Sequence, residues 1–513
     1  MIIDTDSGRL TIGARVSPLS GAVTSHNTRV KAYEASGSSL TVSHPFGSHF
    51  LRHGWTSWSS TRWWDVQREP WRVWDKPQRT LTAEDAATDS ETDHLSYMLT
   101  AVESDSGRVL LVGILEGNSP ILRVAAGSIE ASSSSADARW FVAEGPEIET
   151  FEAYTTAIAE TRKVRSPLRA LEFLGPIWSS WYSWFEEITD SIITDETAEA
   201  ERLGYGTIQI DDGWEKTIGD WRANEKFSRG IADLASRIHD HGMKAGLWIS
   251  PFIAMPDAPV VQKYPELFLH DEDGNLALAG FNWGRNYYGL DLSLPMAHEW
   301  LAHTMSEIAG WGIDMFKLDF LYAGAIAAQR SSGMDREQAY RLGLETIRDA
   351  VGDEVYLLGS GAVMNASLGV LDGVRVGPDT APYWDNTERI KDPTGPSVLN
   401  AIRNSLSRTW LYPLIDVDPD VAFFRTRGSL LSPEVNALTA DVALVCRFAQ
   451  CSDPVSWLDP AERERVQAWI RAAREHPVIE RSARYIYRIN GKSIDFAPYL
   501  NSTGRISDRL LVK

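Results

Sequence analysis

Lys317 and Asp319 stand inside an otherwise apolar run, Phe316-Lys317-Leu318-Asp319-Phe320. Alternate residues of a strand share a face, so this ammonium and carboxylate point the same way. Burying both charges is costly unless they are paired or put to work. A second carboxylate follows 60 positions later, in Arg375-Val376-Gly377-Pro378-Asp379. A third apolar run also ends in acid, Gln209-Ile210-Asp211-Asp212-Gly213-Trp214. Carboxylates accept paired hydrogen bonds from vicinal hydroxyls, and Lys and Arg donate to them. Such a set suits a neutral, hydroxyl-rich ligand, and two carboxyl groups flanking an acetal are the machinery of glycoside hydrolysis.

These residues converge only if several strand ends share one pocket, as at the C-terminal face of a parallel barrel. From Pro167 onward, strand-like and helical runs alternate. Strands are predicted at 177–183, 207–210, 244–249, 315–320, 355–358 and 374–376, with weaker candidates at 414–417 and 442–447. Helices are predicted at 195–203 (capped by Thr194), 230–241, 296–310 and 335–350. Eight strands over about 275 residues fit a (β/α)₈ barrel. A doubly wound sheet is the alternative, but no Gly-rich dinucleotide fingerprint follows the first strand. On this count the residues at strand ends are Trp181, Asp211, Asp212, Trp248, Lys317, Asp319, Ser360, Arg375 and Asp379.

Residues 1–165 have a different texture, with short alternating runs such as Leu40-Thr41-Val42 separated by Ser, Gly and Asp turns. They predict an N-terminal β-sandwich. The catalytic barrel is assigned to 166–475 and a small C-terminal β-appendage to 476–513. No low-complexity linker separates sandwich from barrel, which predicts firm packing between them.

The chain has 513 residues and a formal net charge of −20, which argues against nucleic acid or an anionic membrane as partner. Its two cysteines, Cys446 and Cys451, form neither a zinc pattern nor a disulfide framework. With an acidic N-terminus and no apolar run of membrane-spanning length, a cytoplasmic location is expected. Twenty tryptophans include two clusters, Trp55, Trp58, Trp63, Trp64, Trp71, Trp74 and Trp178, Trp181, Trp184. Indole faces pack against the C–H face of sugars, though tryptophan also fills cores. The acids could in principle bind a hard cation. Lys317 and Arg375 compete for the same space and no His falls at a strand end, so no metal and no cofactor are expected.

Together these segments resemble glycoside hydrolase family 36, the α-galactosidases, in a short bacterial single-chain form. The segments that carry the resemblance are Trp178-Ser-Ser-Trp181-Tyr182, Gln209-Ile-Asp-Asp212, Gly246-Leu-Trp248-Ile-Ser-Pro-Phe252, Phe316-Lys-Leu-Asp319-Phe-Leu-Tyr-Ala-Gly324 and Asp372-Gly-Val-Arg375-Val-Gly-Pro-Asp379-Thr-Ala-Pro382. The resemblance implies Asp319 as nucleophile and Asp379 as general acid/base. It implies Asp211 and Asp212 as acceptors for sugar hydroxyls, Lys317 and Arg375 as donors, and Trp181 and Trp248 as pocket walls. Gly54-Trp55-Thr56-Ser57-Trp58 resembles the loop by which the family's sandwich reaches the pocket, with Trp58 beside the sugar. One departure stands out: the family carries cysteines near positions 360 and 370, where this chain has Ser360 and Val370.

The expectation is therefore a retaining, exo-acting α-glycosidase taking glycosides or oligosaccharides. α-Galactose is the family default, and N-acetylgalactosamine or transglycosylation on the same dyad is the alternative. A non-catalytic sugar-binding protein is a further reading, disfavoured by the intact pair of acids. Oligomeric state is not legible in the sequence.

Overall fold

The computed structural model of the chain describes residues 1–19, 29–71, 82, 84–85, 87–88, 90–385 and 395–500. Trp74 of the first tryptophan cluster and residues 501–513 of the expected C-terminal appendage lie outside the described residues.

The N-terminal part forms two antiparallel sheets, of six and seven strands. Alternation sets their faces: in Ser39–Ser43, Leu40 and Val42 are buried between exposed Ser and Thr residues. The strand Arg108–Glu116 is buried along most of its length. Helix Glu147–Arg162 packs against it, and the Tyr154 hydroxyl donates to the Ile114 carbonyl at 2.9 Å. Gly113 permits that approach, since a Cβ there would stand 2.6 Å from the Tyr154 ring.

Beyond residue 165 eight strands pair in parallel. Ile177–Ser179, Thr207–Ile210, Lys244–Ile249, Met315–Leu318, Tyr356–Gly359, Gly373–Arg375 and Asp416–Asp418 pair in chain order, and Gln450–Cys451 returns to pair with the first. Past the seventh strand, Ala422 bridges Cys451 in parallel, which brings the two ends of the sheet together in a TIM-like arrangement. The connecting helices carry the expected stop and start signals. Ile231–Asp240 buries Ile231, Leu234, Ala235 and Ile238 on one stripe. Arg336–Val351 is capped by Asp335, which accepts from the Glu337 and Gln338 amides.

Three expected elements are corrected. Residues 442–447 are not a strand: Pro433–Val445 is a helix capped by Ser432, with Pro433 in its first turn. That helix is buried almost all round, so its apolar run has no helical period to betray it. The eighth strand is the two-residue Gln450–Cys451. The first strand ends at Ser179, and Trp181–Trp184 turns helical. The helix expected at 195–203 begins at Asp190 with Thr189 as its cap, while Thr194 bonds the Asp190 carbonyl within it.

After the helix Pro460–Arg474, the strands Ile479–Ala483, Ile486–Ile489 and Lys492–Asp495 form a three-stranded antiparallel sheet, followed by the short helix Ala497–Leu500. Among the described residues, no helix is long and apolar enough to cross a membrane.

Candidate active site

At the C-terminal ends of the parallel strands lies a cavity of about 320 Å³. Trp58, Trp181, Asp211, Asp212, Trp248, Lys317, Asp319, Arg375 and Asp379 all line it. The strand register explains the convergence. Trp248 lies opposite Lys317 and Arg375 opposite Asp418, so each pair faces the same side of the sheet. Asp319 follows directly after its strand, and its amide still donates to Ile249 at 2.8 Å.

Asp319 is held from two sides. Trp248 Nε1 donates to Oδ2 at 2.9 Å, and the Phe320 amide donates to Oδ1 at 3.0 Å. Phe320 adopts a left-handed backbone conformation (φ 53°), an uncommon state for a bulky residue, which turns the chain immediately after the carboxylate. In the same cavity Asp379 accepts from Arg375 at 2.6 Å and from Trp181 Nε1 at 3.4 Å. Its side chain is 37% exposed, against 3% for Arg375. Burial works to raise the Asp379 carboxyl, but the charges of Arg375 and Lys317 outweigh it and hold Asp379 below the usual carboxylate range.

Lys317 donates to Asp211 Oδ2 at 2.8 Å, in a pair almost wholly buried. Burial disfavours the ammonium, yet Asp211 and Asp319 more than compensate and keep Lys317 above its ordinary value. Asp211 also accepts from Gln209 Nε2 at 2.5 Å and from the Asp212 amide at 3.0 Å. Asp212 accepts from Trp283 Nε1 at 2.8 Å. Burial and the neighbouring Glu215 carboxyl push Asp212 well above the ordinary carboxylate value.

Trp58 reaches the cavity from the N-terminal part and stands edge-on to Phe320 at 5.2 Å. Its Nε1 donates to Ser360 Oγ at 3.0 Å. Ser360, expected at the sugar, therefore stands behind Trp58 and outside the cavity lining. Gly361 (φ 63°) lies under the indole, where a Cβ would come within 3.4 Å of the ring. Val370 is buried away from the cavity. The Trp58 loop is stitched to the barrel: Ser57 N–H donates to Ala362 O at 2.7 Å, and the buried Arg408 donates to the carbonyls of Gly54, Thr56 and Ser57.

The tryptophan clusters divide. Trp55, Trp63 and Trp178 are buried core residues, while Trp58 and Trp181 face the cavity. Sequence reasoning missed the hairpin formed by Leu278–Asn282 and Arg285–Gly289, which contributes Phe281, Asn282 and Tyr287 to the lining and Trp283 to Asp212. Its signal was the aromatic turn Phe281-Asn282-Trp283-Gly284 between two strands. Sequence reasoning also passed over Tyr182, Asp418 and Asp420, which gather behind Arg375.

A barrel-like parallel sheet with two carboxyl groups opening into one indole-walled cavity defines a glycoside hydrolase. Residues 165–355 match the Melibiase family. The α-galactosidase TtGalA of Thermus thermophilus, solved with p-nitrophenyl α-D-galactopyranoside, superposes with a TM-score of 0.88 at 36% identity, over 98% of this chain and 99% of that one. The chain belongs to glycoside hydrolase family 36, the α-galactosidase family. The family's larger AgaA of Geobacillus stearothermophilus shares the fold at a TM-score of 0.59 and 14% identity, over 91% of this chain and 73% of that one. A curated relative, the A type blood α-D-galactosamine galactosaminidase of Flavonifractor plautii, is 35% identical over 155 residues, 28% of this chain. The match spans only 14% of that relative's length.

Proposed function

We propose that this chain is a retaining, exo-acting α-galactosidase that hydrolyses terminal, non-reducing α-galactosides. The observation that carries the reading is that Asp319 and Asp379 open into the same cavity, each oriented by its own indole donor and flanked by cations. Full-length similarity to TtGalA supports galactose as the sugar.

In this reading Asp319, as the carboxylate, attacks the anomeric carbon while Asp379 passes its proton to the departing glycosidic oxygen. Asp379 then takes a proton from water, and the hydroxide displaces Asp319 with net retention. Trp248 and the Phe320 amide aim the nucleophile by fixing both its oxygens. Asp211, Asp212, Lys317 and Arg375 supply acceptors and donors for the sugar hydroxyls, and Trp58, Trp181 and Trp248 supply apolar walls. N-acetylgalactosamine is the second reading, motivated by the likeness to the galactosaminidase.

We read the layout as an N-terminal β-sandwich over 1–165, a (β/α)₈ barrel over 166–475 and a small β-domain over 476–513. The two antiparallel sheets, the eight parallel strands and the final three-stranded sheet support it. The two free, buried cysteines are in keeping with a cytoplasmic site of action.

Release of nitrophenol from a panel of aryl α-glycosides tests the reading. The α-galactoside is expected to be cleaved fastest. Preference for the N-acetylgalactosaminide would move the assignment to the second sugar, and no release from any α-glycoside would overturn it.

A further inference from the structure

Behind the cavity, Arg375 has two carboxylates within reach. Its NH1 lies 2.6 Å from Asp379 and 3.5 Å from Asp420. Asp420 is anchored on all sides: its Oδ2 accepts the Tyr182 hydroxyl and, at 2.9 Å, the amide of Thr380, the residue after Asp379. Its Oδ1 accepts the Val421 amide at 3.0 Å, and its own amide donates to Asp418 Oδ1 at 2.7 Å. In this position Asp420 adopts a left-handed backbone (φ 76°), a conformation that Asp reaches more readily than most non-glycine residues.

The charged and titratable groups facing this site come from three strand ends. Asp418 closes the seventh strand and Asp420 follows it, Lys317 lies in the fourth and Asp319 follows it, and Tyr182 follows the first, with Cys446 beyond Asp418. The arrangement bears on a chemical requirement. A general acid must carry a proton when substrate arrives, yet a guanidinium bonded to it favours the ionised form. A second, fixed anion on the same guanidinium relieves that demand, because Arg375 stays neutralised while Asp379 is protonated.

We propose that Asp420, fixed by Tyr182 and Thr380, is a positioning residue that shares Arg375 with Asp379 and so lets Asp379 hold the proton it delivers to the leaving oxygen. The inference rests on the reading of Asp379 as the acid/base. In the first step the Asp379 O–H bond breaks, its proton joins the glycosidic oxygen as the bond from that oxygen to the anomeric carbon breaks, and Asp319 bonds to that carbon. Asp379 is then a carboxylate, and Arg375 meets its new charge. In the second step Asp379 takes a proton back from water, the resulting hydroxide bonds to the anomeric carbon as the bond to Asp319 breaks, and Arg375 is returned to Asp420.

The test compares kcat/KM for a 2,4-dinitrophenyl α-galactoside, whose leaving group needs no proton, with that for methyl α-galactoside, whose leaving group does. The ratio of the two is independent of how much enzyme is folded. In Asp420→Asn and in the smaller Asp420→Ser, the ratio is expected to rise about tenfold or more in favour of the dinitrophenyl substrate. The alkaline limb of the methyl galactoside profile is expected to move to lower pH by about one unit. Asp420→Glu, which keeps the charge, restores the ratio toward that of the parent. An unchanged ratio and an unmoved limb in both neutral variants overturn the proposal. Asp379→Asn separates the two claims: loss confined to the methyl galactoside upholds the acid/base reading on its own. Equal loss on both substrates in Asp379→Asn means that the acid/base reading itself has failed.

Discussion

The Lys317 ammonium reaches across to Asp211 Oδ2 at 2.8 Å rather than along its own strand to Asp319. The two strand ends are thereby locked together at the cavity, and Asp319 is left to the Trp248 indole and the Phe320 amide. The division of labour follows: one acid is neutralised and fixed, and the other is aimed.

Removing one partner of that pair strands the other. Lys317→Met leaves Asp211 buried without its cation, and is expected to cost about 3–5 kcal/mol of stability in urea unfolding. Lys317→Met combined with Asp211→Asn is expected to recover most of that loss but no hydrolysis, because both proposed sugar contacts are gone. A Lys317→Met protein as stable as the parent contradicts the pairing.

Deleting the proposed nucleophile should be chemically reversible. Asp319→Gly is expected to show no turnover of aryl α-galactosides, and added azide restores it, with β-galactosyl azide as product because azide enters from the face Asp319 occupied. Full activity without azide removes Asp319 from the mechanism.

The Trp58 loop depends on a guanidinium with no carboxylate within salt-bridge distance among the described residues: Arg408 is fully buried and donates to the main-chain carbonyls of Gly54, Thr56 and Ser57. Arg408→Lys keeps a charge but loses the fork that serves several acceptors. Its KM is expected to rise by roughly tenfold, equivalent to about one hydrogen bond. Trp58→Ala is expected to raise KM similarly, with Ser360→Ala intermediate. Unchanged KM in all three would detach this loop from substrate binding.

Glu196 predicts a pH signature away from the active site. Burial pushes its carboxyl up to about 7, and the Val455 amide donates to it at 2.9 Å. The unfolded chain loses this proton near pH 4.3. Between that pH and about 7 the folded state binds the extra proton, so its stabilising contribution is present at low pH and is lost as pH rises through about 7. Glu196→Gln, which cannot ionise, is expected to gain roughly 2–3 kcal/mol on the parent between pH 5 and pH 8. Thermal melts across that range check it, and parallel curves for the two proteins contradict it.

Much of this site was legible because the sequence breaks a rule there. Charges closing apolar runs at Asp211, Lys317, Asp319 and Arg375 conflict with burial unless the strands share a functional end, and the register brings them to one cavity. The same rule applied to Asp416-Val417-Asp418-Pro419-Asp420 would have exposed Asp420. The strand expected at 414–417 stops one residue short of Asp418, and Pro419 disguises its acidic end. The helix Pro433–Val445 was misread for the converse reason, since apolar residues on every face carry no period. Trp283 was missed because its role depends on a hairpin folding back over Asp212, a long-range contact that local pattern does not encode.

The stereochemistry of the first product tests the central claim most directly. Proton NMR during the opening minutes of p-nitrophenyl α-galactoside hydrolysis follows the anomeric signals before mutarotation mixes them. Two displacements at one carbon, by Asp319 and then by water, predict that α-galactose appears first and the β-anomer only later. Initial release of β-galactose would mean a single displacement by water, and would contradict Asp319 as the nucleophile.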